Sequence, residues 1–123
     1  MIKSILFVFL GGGLGSVLRY LISKSVNTAT IPYGTFAVNI IGSLLIGIIL
    51  GLSAKGNILT TNQTLFLATG FCGGFTTFAT FAYENQQFLK TGDFISFAVY
   101  TIGSFIVGFL AIFLGLYLAN NYS

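Results

Sequence analysis

Residues 70–81 of this 123-residue chain read Gly-Phe-Cys-Gly-Gly-Phe-Thr-Thr-Phe-Ala-Thr-Phe, and this stretch decides the fold. It lies in a long apolar segment, yet its Gly73-Gly74 pair and its β-branched Thr76-Thr77 pair weaken an α-helix. Within a bilayer, non-helical backbone is tolerated only where it is buried in protein or lines a cavity. The stretch predicts either two half-helices around a break at mid-membrane or a glycine kink that serves packing, and both remain open at this point.

Composition around this stretch indicates a membrane protein. The chain is 55% hydrophobic and 6% charged, whereas soluble domains carry roughly 25% charged residues. A helix crosses the bilayer with about 20 apolar residues, and four segments meet that test, at residues 4–23, 33–52, 64–88 and 94–118. We predict an all-α membrane protein, a single domain over residues 1–123 with four transmembrane helices.

The composition also argues against catalysis, a histidine metal site and nucleic-acid binding. With no histidine and few charges, it lacks the groups for general acid–base catalysis or a histidine metal site, so we expect no enzyme. The basic residues are spread along the chain, and no cluster indicates nucleic acid. Cys72 is the single cysteine, which is typical of a small core residue in an apolar segment.

Basic residues also bear on orientation, because cytoplasmic loops of membrane proteins carry the excess of Lys and Arg. Here Lys3 and Lys55 fall on the side of the C terminus, and Lys24 and Lys90 fall on the other side, with Arg19 close to that second face. This near balance is compatible with insertion in both orientations and with antiparallel pairing of two copies. We expect a multi-pass protein of the plasma membrane.

The second span carries a stripe at strict four-residue spacing, which places its members on one slowly turning face. Its members are Thr35, Asn39, Ser43, Gly47 and Gly51. Small and polar residues of this kind favour helix packing. A carboxamide in hydrocarbon nevertheless needs partners or water, so a role for Asn39 in lining a polar path is the competing interpretation.

Aromatic and hydroxyl residues surround the decisive stretch. Phe78 and Phe81 accompany Thr77 and Thr80, and an aromatic ring edge and a hydroxyl hydrogen both present positive charge that favours an anion. On the fourth span, Tyr100, Ser104 and Gly108 form another four-residue stripe. Packing and pore lining both remain open for that stripe.

Three motifs, in order within a four-span chain, resemble the Fluc (CrcB-type) fluoride channel family over essentially the whole sequence. They are residues 11–20, Gly-Gly-Gly-Leu-Gly-Ser-Val-Leu-Arg-Tyr, residues 34–39, Gly-Thr-Phe-Ala-Val-Asn, and residues 70–81. The resemblance implies an antiparallel, dual-topology homodimer with two parallel fluoride pores and a sodium ion at the dimer centre. Such a protein removes toxic fluoride from the microbial cytoplasm by passive conduction.

The resemblance also implies roles for particular residues. It matches Asn39 to the pore asparagine and Phe78 and Phe81 to the paired pore phenylalanines. Tyr100 and Ser104 match the start of the polar track on the fourth helix.

Further positions follow from the same resemblance. Arg19 matches the family arginine near the pore entrance, Glu84 lies where the family often has a glutamate, and the backbone carbonyls of Gly73 and Thr76 from both subunits would hold the sodium.

Two positions depart from the family pattern. Ala79 replaces a usual serine, and Gly108 stands where another hydroxyl of the polar track is expected. Thr80 is then the remaining hydroxyl of the first site, and the lost hydroxyls are expected to alter ion occupancy or rate.

Two other functions compete with a fluoride channel. A small dual-topology, proton-coupled multidrug or cation transporter also has four spans, but it requires an intramembrane carboxylate, and the first span holds Arg19 without an acid. A structural subunit would use its polar faces only for packing, and it would tolerate Phe78→Ile and Phe81→Ile without loss of any flux.

Overall fold

The computed structural model describes residues 1–28 and 31–122, and the regular structure in this part of the chain is helical throughout. Within these residues, four helices are long and apolar enough to cross a membrane, namely Ile2–Val26, Tyr33–Ser53, Thr61–Lys90 and Phe94–Asn120. The all-helical fold with four spans that the hydropathy pattern predicts is therefore confirmed.

Three of these spans are single helices and one is composite. The single helices are α1 (Ile2–Val26), α2 (Tyr33–Ser53) and α6 (Phe94–Asn120). The third span begins with α3 (Thr61–Thr64), continues as a π-helical segment (Leu65–Cys72) and as α4 (Gly73–Phe75), and resumes after two non-helical residues as α5 (Phe78–Lys90).

The connections between spans use the turn residues that the sequence offers. Gly56 and Gly92 have positive φ angles of 91° and 79°, a region that favours glycine. Asp93 caps α6, since its carboxylate accepts from the backbone N–H of Ser96 at 3.1 Å. Hydrogen bonds from the side chain and backbone of Ser96 lower the pKa of Asp93, and the cap fixes where the fourth span starts.

A proline suits the first turn of a helix, but Pro32, at the end of the first connection, precedes α2 as its N-cap, with φ −85° and ψ 60°. Asn27 fixes the start of α2 instead, because its Oδ1 accepts from the backbone N–H of Gly34 at 2.5 Å. The connection expected over residues 24–32 also includes Ala29 and Thr30, which lie outside the described residues.

Small residues allow two pairs of helical segments to pack closely, α1 with the π-helical segment and α2 with α6. At Gly15 of α1, an added Cβ would collide with the carbonyl of Phe71 in the π-helical segment, and at Gly47 of α2 it would meet the carbonyl of Ile112 in α6 at 2.5 Å. These contacts bring helix backbones together as small-residue motifs do in membranes. Gly11 approaches the carbonyl of Phe66 in the same way, so α1 docks against the segment that precedes the two non-helical residues of the third span.

Candidate functional site

The third span is interrupted at Thr76 and Thr77, between α4 and α5. Thr76 has φ −90° and ψ 158°, and Thr77 has φ −151° and ψ 120°, which are extended backbone angles. The last turn before them closes on Cys72, whose carbonyl accepts from the backbone N–H of Thr76 at 3.0 Å and from its hydroxyl at 2.9 Å. Two residues thus leave the helix within the third span.

Asn39 of α2 makes a two-point contact with this interruption. Its Oδ1 accepts from the backbone N–H of Thr77 at 2.7 Å, and its Nδ2 donates to the carbonyl of Thr77 at 3.1 Å. In a continuous α-helix, the N–H of Thr77 would bond to the carbonyl of Gly73, four residues earlier. Asn39 takes that N–H, so the Gly73 carbonyl loses its helical partner.

The carbonyl of Gly74 has exchanged its helical partner for side chains of α1. In a continuous helix it would accept from the N–H of Phe78, which now begins α5. Instead, Nε of Arg19 donates to it at 2.9 Å, and Oγ of Ser16 donates at 3.4 Å. Side chains of α1 and α2 thus pair the backbone groups of Gly74 and Thr77, as buried backbone groups require, whereas the carbonyl of Gly73 keeps no helical partner.

Thr77 also starts the second half of the span. Its Oγ1 accepts from the backbone N–H of Thr80 at 3.2 Å, and its hydroxyl lies 3.3 Å from Oγ1 of Thr80. Threonine is a favoured N-cap, and the N-terminus of a helix carries partial positive charge that favours anions. The start of the 13-residue α5 is thus fixed beside the interruption.

An open cavity of about 330 Å³ lies next to the interruption. It brings together residues of α2, both halves of the third span and α6. Its lining consists of Asn39, Gly42, Ser43, Ile46, Cys72, Gly73, Thr76, Thr77, Phe78, Phe81, Ser104 and Phe105. The lining is mostly apolar with a few convergent polar groups, which is typical of a site for a small ligand.

Two serines contribute hydroxyls to this cavity. Oγ of Ser104 is buried and has no hydrogen-bond partner among the described residues, and an unpaired buried hydroxyl costs free energy that a ligand would recover. Oγ of Ser43 donates to the carbonyl of Asn39 at 2.7 Å. It also lies 3.9 Å from the place of a Cβ at Gly108, so α2 brings a hydroxyl to the position where α6 has none.

Aromatic rings pack on one another at the same place. The ring of Phe81 lies 6.0 Å from that of Phe78, 5.0 Å from that of Tyr100 and 6.1 Å from that of Phe105, the last in an edge-to-face arrangement. Phe81 is only 8% exposed, whereas Phe78 is 73% exposed in the single chain. Phe81 is therefore held from three sides, and Phe78 presents its ring outward.

A carboxylate lies beyond these rings. Oε1 of Glu84 accepts from the hydroxyl of Tyr100 at 2.7 Å, and its Oε2 accepts from the hydroxyl of Thr35 at 2.7 Å. Thr35 is fully buried. Glu84 therefore links α2, α5 and α6 through two short hydrogen bonds, and neither of them involves Arg19.

The structure places the candidate residues in three groups. Those that line the cavity are Asn39, Gly73, Thr76, Thr77, Phe78, Phe81 and Ser104. Thr80 and Tyr100 do not line the cavity but contact the lining residues Thr77 and Phe81, respectively. Arg19 donates to the carbonyl of Gly74.

Five residues that line the cavity are absent from the sequence-based candidates, namely Gly42, Ser43, Ile46, Cys72 and Phe105. Ser43 and Thr35 belong to the four-residue stripe on α2, so their spacing carried a signal, and the structure shows that the polar end of this stripe meets the site while Gly47 packs on α6. Phe105 has no such signal, because only its neighbour Ser104 lies on the polar face of α6.

A family model described as CrcB-like protein, Camphor Resistance (CrcB), matches residues 6–116. This chain belongs to that family. Relatives named fluoride-specific ion channel FluC resemble the CrcB-like chain over nearly its whole length. The one from Phocaeicola vulgatus is 48% identical over 121 residues, which cover 96% of this chain and 99% of the relative.

Two further relatives of the same name agree with this assignment. The one from Gloeothece citriformis is 51% identical over 95% of this chain and 97% of its own length. The one from Flavobacterium psychrophilum is 45% identical over 97% of this chain and 98% of its own length. The CrcB-like chain, with its four spans, is a multi-pass protein of the plasma membrane.

Proposed function

We propose that this protein is a fluoride-selective ion channel that exports toxic fluoride by passive conduction. The single observation that carries the proposal is the cavity beside the interrupted third span, where amide, hydroxyl and aromatic groups converge. The relatives named as fluoride-specific ion channels support it.

Fluoride is small and strongly hydrated, so a pore must replace its water with hydrogen-bond donors while it excludes larger anions by size. Asn39 uses one N–H of Nδ2 on the carbonyl of Thr77 and has a second N–H to donate. The hydroxyl of Ser104 has no partner in the described part of the chain, and the ring edges of Phe78 and Phe81 carry positive charge. These groups are suited to a partly dehydrated anion.

We further propose that two copies assemble as an antiparallel homodimer with two pores, and that the interruption lies at mid-membrane. One chain leaves Phe78, which lines the cavity, 73% exposed. A second copy would cover this ring and close the open cavity. The near balance of basic residues on the two sides supports insertion in both orientations.

A structural sodium ion at the dimer interface completes the proposal. Oxygen ligands suit hard cations, and the carbonyl of Gly73 lies free of its helical partner because Asn39 holds the N–H of Thr77. Thr76 follows in extended conformation. The carbonyls of Gly73 and Thr76 from both chains would hold the ion, whose positive charge would offset the repulsion between anions.

The function is tested with purified protein in liposomes loaded with fluoride. We expect fluoride efflux well above that of protein-free liposomes, and chloride efflux at the level of the protein-free control, because the donor-lined cavity selects the smaller anion. Anion-selective electrodes measure both. Absence of fluoride efflux, or equal efflux of chloride, would contradict the proposed function. Efflux that requires a proton gradient would favour the transporter class instead.

The sodium proposal has its own test. Purification with a large organic cation in place of sodium is expected to lower fluoride efflux or the stability of the dimer, because the carbonyls of Gly73 would be left without a partner. Size-exclusion chromatography and thermal unfolding follow the dimer, and return of sodium should restore it. If neither measurement responds to sodium, the protein has no structural cation.

A further inference from the structure

Arg19 is a charged residue whose contact does not match a simple anion-attracting role. It lies on α1 and does not line the cavity, and its Nε donates to the carbonyl of Gly74 at 2.9 Å. We propose that Arg19 is a positioning residue, whose Nε–H, and not its positive charge, fixes the end of α4 and so the start of the interruption. This inference rests on the proposed function, because the interruption carries the fluoride site.

The backbone around Arg19 is already in register with α4. An added Cβ at Gly15 would collide with the carbonyl of Phe71, and one at Gly74 would meet the carbonyl of Gly12 at 2.5 Å and Oγ of Ser16 at 2.9 Å. Contacts this close leave α1 no freedom to slide. The Cα of Arg19 therefore has a fixed position relative to the carbonyl that its side chain reaches.

The carbonyl of Gly74 needs this donor because the interruption has removed its helical partner. Ser16 also reaches it, but at 3.4 Å, which is a weaker contact than that of Arg19 at 2.9 Å. Without Arg19, the carbonyl would regain a full hydrogen bond by recapturing the N–H of Phe78 in a continued helix. That rearrangement would displace Thr77 from Asn39 and move Phe78 within the cavity.

Arg19 and Asn39 therefore determine the hydrogen bonding of two consecutive carbonyls, those of Gly74 and Gly73. Asn39 withdraws the N–H that would bond to Gly73, and so frees that carbonyl. Arg19 satisfies the next carbonyl, that of Gly74, and so removes the gain from closing the helix. One side chain opens the interruption and the other stabilises it.

Three substitutions separate the donor of Arg19 from its charge. R19Q places an amide nitrogen, Nε2, the same number of bonds from Cα as Nε of arginine, and so keeps the donor without the charge. R19K keeps the charge but moves the nitrogen one bond further out. R19M keeps the length with neither donor nor charge. K24M is the matched control, because Lys24 is an exposed cation further along α1.

Fluoride efflux from liposomes, measured per folded dimer, gives the first readout. We expect R19Q to stay within about threefold of the wild type and R19K and R19M to lose about tenfold or more, in line with the net strength of one buried hydrogen bond. K24M should equal the wild type. Activity of R19K with loss in both R19Q and R19M would assign Arg19 to charge attraction and overturn the proposal, as would wild-type efflux in all three variants.

A second readout follows the carbonyl directly. Labelling with carbonyl-13C glycine and 15N phenylalanine selects the Gly70–Phe71, Gly74–Phe75 and Gly108–Phe109 pairs in solid-state NMR. The Gly74 carbonyl resonance is expected to move in R19K and R19M, and to stay near its wild-type position in R19Q. A resonance that is unchanged in R19K would overturn the proposal. Comparison of R19K with R19Q decides the matter if R19M does not fold.

Failure of the proposed function and failure of the proposal for Arg19 are distinguishable. Absence of fluoride efflux from the wild-type protein would overturn the proposed function, whereas the NMR comparison would still test the contact between Arg19 and Gly74. If the wild type conducts normally and efflux of the variants follows the charge of residue 19, only the positioning role of Arg19 is overturned.

Discussion

Replacement of Asn39 by aspartate is expected to reduce fluoride efflux by about a hundredfold or more. Nδ2 donates to the carbonyl of Thr77 and Oδ1 accepts from its N–H, and a carboxylate has no donor for the first of these contacts. The new negative charge also faces the cavity that must accept an anion. A charged aspartate in a membrane span costs about 3 kcal/mol, which corresponds to about a hundredfold in an equilibrium.

Efflux from liposomes measures this loss, and N121D is the matched control. Asn121 lies at the C-cap of α6 and is exposed, so the same change of chemistry there should leave efflux unaltered. Wild-type efflux in N39D would mean that Asn39 neither opens the interruption nor lines the anion path.

The second large effect is expected for Phe81→Ile. The ring of Phe81 contacts those of Phe78, Tyr100 and Phe105, and each aromatic pair contributes roughly 0.5–1.5 kcal/mol beyond area burial. Isoleucine keeps an apolar side chain but has no ring edge to face an anion. We expect fluoride efflux to fall by about tenfold or more, on the scale of these lost contacts.

Phe113→Ile is the control for the aromatic substitution. Phe113 lies on α6, is 65% exposed and, unlike Phe81, does not line the cavity, so its change should affect neither efflux nor the yield of folded protein. Equal efflux from the wild type, F81I and F113I would indicate that the polar faces serve only packing, as in a structural subunit.

The sequence predicts much of the scaffold, because hydropathy and turn chemistry are local. Apolar segments of sufficient length specify the four spans, and the structure forms these spans from helices. Gly56 and Gly92 take the positive φ angles that chain reversal requires, and Asp93 caps α6. Pro32 shows the limit of such local rules, since a proline suits both the first turn of a helix and the residue before it, and here Asn27 fixes the start of α2.

Candidate residues of the site were predictable where a periodic pattern marked them. Asn39 and Ser104 lie on four-residue stripes, and both line the cavity. Phe105 had no such mark, because its place beside Phe81 depends on how α6 packs against α5. The weakness of helix at residues 73–77 was visible in the sequence, but the choice between a kink and an interruption was not.

The sequence by itself determined the class of protein, the number of spans and the weak point of the third span, because these depend on the polarity and backbone preferences of neighbouring residues. Only the tertiary structure decided which groups compensate that weak point. Arg19 and Asn39 lie on α1 and α2, far from residues 73–77 in the chain, and they reach the backbone of Gly74 and Thr77 once close helix contacts have set their register. Hydrogen bonds between distant residues depend on packing, and no local pattern specifies them.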